Sequence, residues 1–196
     1  MKILLVSDME VPLLWDYFQI DRFKNIEMVV SCGDLQADYL SFLVTMLNIP
    51  VFYVHGNHDG KYVSKPPDGC ECIDGKVVKY KGIRMAGFGG CMKYNGGIFQ
   101  YTDSEMSRRI CKVKPKLWIN KGVDILVTHA PALGIGDGQD LCHRGFKAFN
   151  KFLDSYSPRF LVHGHQHLSY GSNAQRIYEY KKTTVINAYE YHILEY

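Results

Sequence analysis

Five short apolar runs in this chain end, within a few residues, in an acid, an asparagine or a histidine. Residues 2–7 lead into Asp8 and Glu10, residues 28–32 into Gly33 and Asp34, and residues 51–55 into Gly56, Asn57, His58 and Asp59. Residues 125–128 lead into His129, and residues 160–163 into Gly164, His165, Gln166 and His167. Runs this short and β-rich read as buried strands. In open α/β sheets the crevice outside the carboxyl ends of the strands is where ligands bind. Oxygen and imidazole donors delivered there from five strands point to a preassembled metal site rich in carboxylate and histidine.

Between the first three runs the apolar spacing turns helical. Leu14, Trp15, Phe18 and Phe23 predict a helix over residues 13–23, and residues 38–47 predict a second that stops at Asn48 and Pro50. A β-α-β-α-β order implies parallel strands joined by right-handed crossovers. Further along, residues 76–80 and 83–88 predict a hairpin across Lys81 and Gly82. Thr102 to Glu105 carry the N-cap chemistry of a short helix, residues 144–153 regain helical character, and residues 176–180 and 184–187 predict a closing hairpin. With no repeat, linker or low-complexity tract, residues 1–196 read as one domain. The expected architecture is α/β, a sandwich of two mixed β-sheets with helices outside.

Composition closes off several classes. A net charge of +3 is weak, and the densest basic groups, residues 112–116 and Lys181 with Lys182, are too short for a nucleic-acid footprint. They read as solvated faces. The six cysteines show no C-x-x-C pair; Cys70 and Cys72 lack a matching second half for a zinc site and read as free thiols. No apolar stretch reaches the length of a membrane span, and the N-terminal run is too short for a signal-peptide core. A reduced, cytoplasmic location is the expectation, with neither a membrane nor a nucleic acid as partner.

Each candidate residue has a plainer reading beside the metal one. Asp34 resembles a helix N-cap, but the helix begins too far on. Asp8 and Glu10, at i and i+2, share a face if the backbone is extended, or are two solvated loop acids. Gly56 to Asp59 suit a turn, although a turn gives no reason for His58. His129, His165 and His167 bring three imidazoles to one sheet edge. His55, His163 and His192 read instead as satisfied structural histidines.

Taken in order, Asp8-x-Glu10, Gly33-Asp34, Gly56-Asn57-His58-Asp59, His129 and Gly164-His165-Gln166-His167 resemble the calcineurin-like metallophosphoesterases. The motif series of that family is D-x-H, G-D, G-N-H-D/E, H and G-H-x-H, and the resemblance covers nearly the whole chain. It implies a four-layer α/β/β/α sandwich. It further implies a first metal ion held by Asp8, Glu10, Asp34 and His167, and a second held by Asp34, Asn57, His129 and His165. His58 would be the non-ligand histidine that, with Asn57, contacts phosphate and assists the leaving group. The implied activity is hydrolysis of a small phosphomonoester or phosphodiester by attack of a metal-bridging hydroxide.

Glu10 stands where the family has histidine. A glutamate adds charge and a hard oxygen donor, so manganese is the expected ion of the two-metal centre, with iron, zinc or magnesium as alternatives. Some relatives of this fold have lost ligands and serve as interaction surfaces, so a metal-binding or protein-interaction module without turnover is the rival reading. The full set of Asp34, Asn57, His58, His129, His165 and His167 argues for an enzyme. Specificity would rest with the loops over residues 89–100 and 131–143. Tyr94, Phe99 and Tyr101 could stack on a base or another aromatic group but are expected to pack against the domain; Asp137, Asp140 and His143 could line the entrance, with a self-bonded loop the favoured reading.

Overall fold

Alternation along each strand sorts its side chains between two cores. In β1 (Lys2–Ser7), Ile3 and Leu5 face one way and Leu4 and Val6 the other, and all four are fully buried. A strand covered on both faces needs such an unbroken apolar run. The computed structural model describes residues 1–168 and 175–196. In it β1 pairs in parallel with β2 (Ile26–Ser31), β2 with β3 (Val51–Tyr53), and β3 with the short β4 (Glu71–Cys72).

β5 (Val77–Tyr80) and β6 (Ile83–Phe88) form the expected hairpin. Lys81 and Gly82 at its turn have φ of 46° and 90°, the two left-handed residues that a tight hairpin matching strand twist requires. β7 (Cys91–Met92) and β8 (Gln100–Tyr101) make a small separate pair. β9 (Ile125–Thr128) lies parallel to β6, and β10 (Phe160–His163) parallel to β9. β11 (Ile177–Tyr180) and β12 (Thr183–Asn187) complete a second sheet of order β11-β12-β10-β9-β6-β5. β13 (Glu190–Glu195) returns to the first sheet, antiparallel to β1, giving β13-β1-β2-β3-β4.

The layers follow from which face each helix covers. α1 (Ile20–Phe23) and α2 (Ala37–Leu47) pack Phe23, Tyr39, Leu40 and Leu43 on the Leu4 and Val6 face. α3 (Asp103–Ile119) and α4 (Lys147–Tyr156) pack Met106, Ile110, Phe149 and Phe152 on the outer face of the second sheet. Ile3, Leu5 and Val30 meet Met85, Val127 and Val162 between the sheets. This is the α/β/β/α order expected. No helix among the described residues is long and apolar enough to cross a membrane, and all six cysteines are free thiols.

Several boundaries differ from the sequence reading. Residues 13–23 do not form one helix: a 3-10 turn, Pro12–Leu14, is followed by the four-residue α1. Trp15 and Phe18 pack against Phe42 of α2 instead, so tertiary contacts override the spacing. α3 is not short but 17 residues long, opened by a capping box between Thr102 and Glu105. α4 begins at Lys147, three residues later than expected, because Phe146 is held extended in a bridge to Ala132. The first turn of α4 takes its cap from Asp103, whose carboxylate accepts the Ala148 N–H at 2.8 Å. β13, which carries His192, has no counterpart in the sequence reading.

Candidate metal centre

The polar residues that follow β1, β2 and β10 turn in a left-handed backbone: Asp8 at φ 65°, Asp34 at φ 57° and His165 at φ 65°. Outside glycine this conformation costs on the order of 1–3 kcal/mol and persists only where its surroundings enforce it. Here the Asp8 N–H donates to the Gly33 carbonyl at 3.1 Å, and both Asp8 carboxylate oxygens accept the His165 N–H at 2.9 and 3.0 Å. The motif glycines exist to permit this closeness. A Cβ on Gly56 would strike the Asp34 carboxylate, and one on Gly164 would strike Ser7 and Asp8.

From the second sheet comes His129, fully buried. Its Nδ1 lies 2.7 Å from the Cys32 carbonyl, which fixes the ring so that Nε2 faces Asn57 Oδ1 at 3.0 Å and Asp34 Oδ2 at 3.3 Å. Two donors at roughly 2.1 Å from one cation, and at right angles, lie about 3.0 Å apart, so this spacing suits shared coordination. His165 Nε2 lies 2.8 Å from the Cys142 carbonyl, which leaves Nδ1 for the site. One ligand atom each from Asp34, His129 and His165 falls within 4.8 Å of the others. The Asn57 Nδ2 is buried beside the Tyr94 side chain and makes no hydrogen bond of good geometry among the described residues, as a group awaiting a ligand oxygen would. Hard oxygens mixed with imidazole nitrogens fit divalent first-row ions.

Burial opposes charge on every one of these groups, and the exceptions identify the strong attractions. Burial pushes Asp34 up, but His129 and the His58 N–H, 2.7 Å from Oδ1, overcome it and hold the carboxyl at about 2. Burial pushes His129 down, yet Asp34 and then Asp8 raise it to about 9. His165, buried beside that charge, falls to about 3. Burial raises Asp8 above the usual carboxylate range. At neutral pH, therefore, the His129 imidazolium supplies positive charge where two carboxylates converge.

Asp8, Asp34, His58, His143, His165 and His167 line a cavity of about 320 Å³. Asn57 and His129 stand against its Asp34 wall, His58 is exposed at its rim, and the His167 ring packs on Tyr189. The structure does not bring Glu10 to this group. Its Oε1 accepts the Gln36 N–H at 2.9 Å, at the start of α2. A physical reason lies at Asp8: the Met9 N–H donates to the Ser7 carbonyl at 2.8 Å, a tight turn centred on Asp8 that breaks the extended geometry in which i and i+2 share a face.

Asp59 has no assigned role in the sequence reading, and His143 has there only the less favoured one of lining the entrance. Asp59, raised to about 6 by burial and by Asp34, accepts the Gly56 N–H at 2.7 Å and the Asp34 N–H at 3.0 Å, and so clamps the bridging loop. His143 is expected in a self-bonded loop, and Asp140 does hold its Nδ1 at 2.9 Å, but its ring also reaches the cavity, 5.1 Å from that of His165. Tyr94 and Tyr101 pack on the α3–α4 core and Phe99 stacks on His55, as expected. His55 is satisfied by Asp74. His163 is only half so: Nδ1 reaches the Gly164 carbonyl, while the buried Nε2 has no partner among the described residues.

One solved structure superposes with a TM-score of 0.70 at 15% identity, over 98% of this chain and 94% of that one. TT1561 of Thermus thermophilus superposes with a TM-score of 0.67 at 14% identity, over 96% and 89%. A structure described as a novel archaeal phosphodiesterase matches at 17% identity over 100% and 93%, with a TM-score of 0.47. No curated protein matches the chain. At these identities the structural likenesses speak for the fold alone. The family model for calcineurin-like phosphoesterases matches residues 1–169, a span that holds every motif from Asp8 to His167, and the chain belongs to that family.

Proposed function

We propose that this chain is a hydrolase of small phosphate esters, monoester or diester, working through two divalent cations, manganese foremost. The observation that carries the reading is the convergence of Asn57 Oδ1 and Asp34 Oδ2 on His129 Nε2, at 3.0 and 3.3 Å, on the wall of a cavity with His58 at its rim. Asp8, Asp34 and His167 would hold one ion, and Asp34, Asn57, His129 and His165 the other. Bound there, the ions supply charge neutralisation for phosphoryl oxygens and an acidified water as nucleophile.

The residues of the chain do the rest. Asp34 has two carboxylate oxygens and can serve both sites while the His58 N–H fixes one of them. The buried Asn57 amide, which makes no hydrogen bond of good geometry among the described residues, donates to a phosphoryl oxygen. His58, exposed and free of the ligand cluster, gives a proton to the departing oxygen. Cys32 and Cys142 carbonyls hold the two imidazoles in place, the kind of outer support on which ligand orientation depends. Metal analysis of the purified protein, with turnover of bis-(p-nitrophenyl) phosphate and p-nitrophenyl phosphate under added Mn²⁺, tests the proposal. Two ions bound with hydrolysis of either ester is the expected result. Ions bound without turnover of any ester would mark a binding module instead.

A further inference from the structure

Beside the metal cavity lies a larger one of about 580 Å³, between the first turn of α2 and the 3-10 turn Asp59–Val63. The two share Asp34 and His58. If phosphorus sits among the ligands and His58 protonates the departing oxygen, the leaving group passes His58 into this second cavity. Its volume falls within the range of small-molecule sites.

The acids lining it are engaged with the protein. Glu10 accepts the Gln36 N–H, Asp38 pairs with Lys65 at 3.0 Å, Asp59 accepts two backbone N–H groups, and Asp34 faces His129 and the His58 N–H. The Tyr62 hydroxyl donates to the Leu35 carbonyl. Lys61 is different: it lines the cavity, is exposed, and its ammonium enters no ion pair or hydrogen bond among the described residues. It also stands three residues after His58. His58 is the N-cap of that 3-10 turn and Lys61 its third residue, so the two stand about one turn, roughly 6 Å of axial rise, apart.

We propose that Lys61 selects esters whose leaving group carries a second oxyanion, about one 3-10 turn beyond the scissile oxygen. The inference rests on the phosphoesterase reading for the direction in which the leaving group departs. A lysine ammonium is a flexible point charge suited to such an anion.

The test compares phenyl phosphate with 3-carboxyphenyl phosphate, and their methyl diesters, on Mn²⁺-loaded wild type and Lys61→Ala. Taking the ratio of wild type to variant for each ester cancels intrinsic reactivity. Lys61→Ala should lose about tenfold or more in kcat/KM on the carboxylated ester, equivalent to one well-placed charge contact, and little on the parent. Lys61→Arg should restore it, and added salt should erode the difference. Equal losses on both esters, or none on either, overturn the proposal. A second readout needs no turnover: calorimetric titration of EDTA-treated protein with 3-hydroxybenzoate should show binding weakened in Lys61→Ala, and equal binding by both proteins overturns it. If wild type hydrolyses neither ester, the phosphoesterase reading fails while the titration still decides Lys61.

Discussion

The first sheet brings mainly oxygen to the site and the second brings nitrogen. Asp8, Asp34 and Asn57 follow strands β1 to β3, whereas His129, His165 and His167 follow β9 and β10. Each set is also oriented by the other sheet or its loops. The Asp8 carboxylate is held by the His165 N–H, and the His129 ring by the Cys32 carbonyl. Backbone donors fix the acids, backbone acceptors fix the imidazoles, and neither half is a site without its partner. Positioning by backbone groups costs no side-chain entropy and cannot be lost by substitution of the group itself.

The largest effect should come from the residue that belongs to both halves of the donor set. Asp34 faces His129 from the oxygen side and lies within reach of His165. Asp34→Asn is nearly isosteric, so the fold should persist, but on the proposed two-cation reading the change removes a charge that both cations would share. Metal content should fall at both positions, and activity should drop by more than the roughly 10–100-fold typical of losing an outer support. Full metal content with normal turnover would break the comparison at its centre.

His58 comes from the oxygen-bearing sheet yet is an imidazole. Exposed at the rim, with its backbone N–H rather than its ring engaged by Asp34, it should behave unlike the nitrogen set. His58→Ala should retain both ions and lose roughly 10²–10⁴-fold in rate, the range for a positioned proton donor. The loss should be smaller for p-nitrophenyl esters, whose leaving group needs little protonation. A uniform loss across leaving groups would assign the ring to phosphate contact instead.

These two halves are unequally legible in the sequence. Strands buried on both faces announce themselves as apolar runs, so β1, β2, β9 and β10, and the ligand candidates just beyond them, can be read directly. The supports cannot, because the carbonyls of Cys32 and Cys142 are backbone atoms and leave no mark in residue identity. His143 is visible as part of a loop, but its approach to the cavity depends on the pinning of its carbonyl by Gly138 and Gln166. The helix expected over residues 13–23 fails for a related reason: aromatic spacing that suits a helix serves equally to dock a loop on Phe42. Distant contacts decide each of these cases.

The nitrogen half should reveal itself in pH. His129 is raised to about 9 by Asp34 and Asp8 against burial, while His165 is lowered to about 3. A ligand nitrogen must be unprotonated, so cation uptake near pH 7 should release one proton, from His129 and not from His165. Apparent metal affinity should therefore rise up to about tenfold per pH unit as pH approaches 9, then level off. The metal-free protein should move the other way. A folded pKa above the unfolded value of about 6.5 contributes stability that is complete below pH 6.5 and is lost as pH rises through 9. Calorimetry in buffers of different ionisation enthalpy counts the proton, and zero protons released at pH 7 would contradict this assignment.

The smallest effect should belong to Glu10, which is near the oxygen set in sequence and apart from it in space. Its carboxylate accepts the Gln36 N–H at 2.9 Å and faces the larger cavity rather than the one lined by Asp8 and His167. On that geometry Glu10→Ala removes a cap from α2, an interaction worth about 1 kcal/mol, and lowers Tm modestly. Two ions should still bind, and turnover should stay within a few-fold of wild type, well short of the roughly 10–100-fold lost with a ligand's outer support. Glu10→His, which restores the histidine of the family motif, separates position from chemistry. If the backbone turn at Asp8 decides where residue 10 points, metal preference should not shift towards Zn²⁺. Anomalous scattering from Mn²⁺-soaked crystals gives the decisive view. A Glu10 oxygen at the ~2.0–2.2 Å of a carboxylate ligand would show that cation binding draws the side chain away from Gln36, and would return Glu10 to the oxygen half of the site.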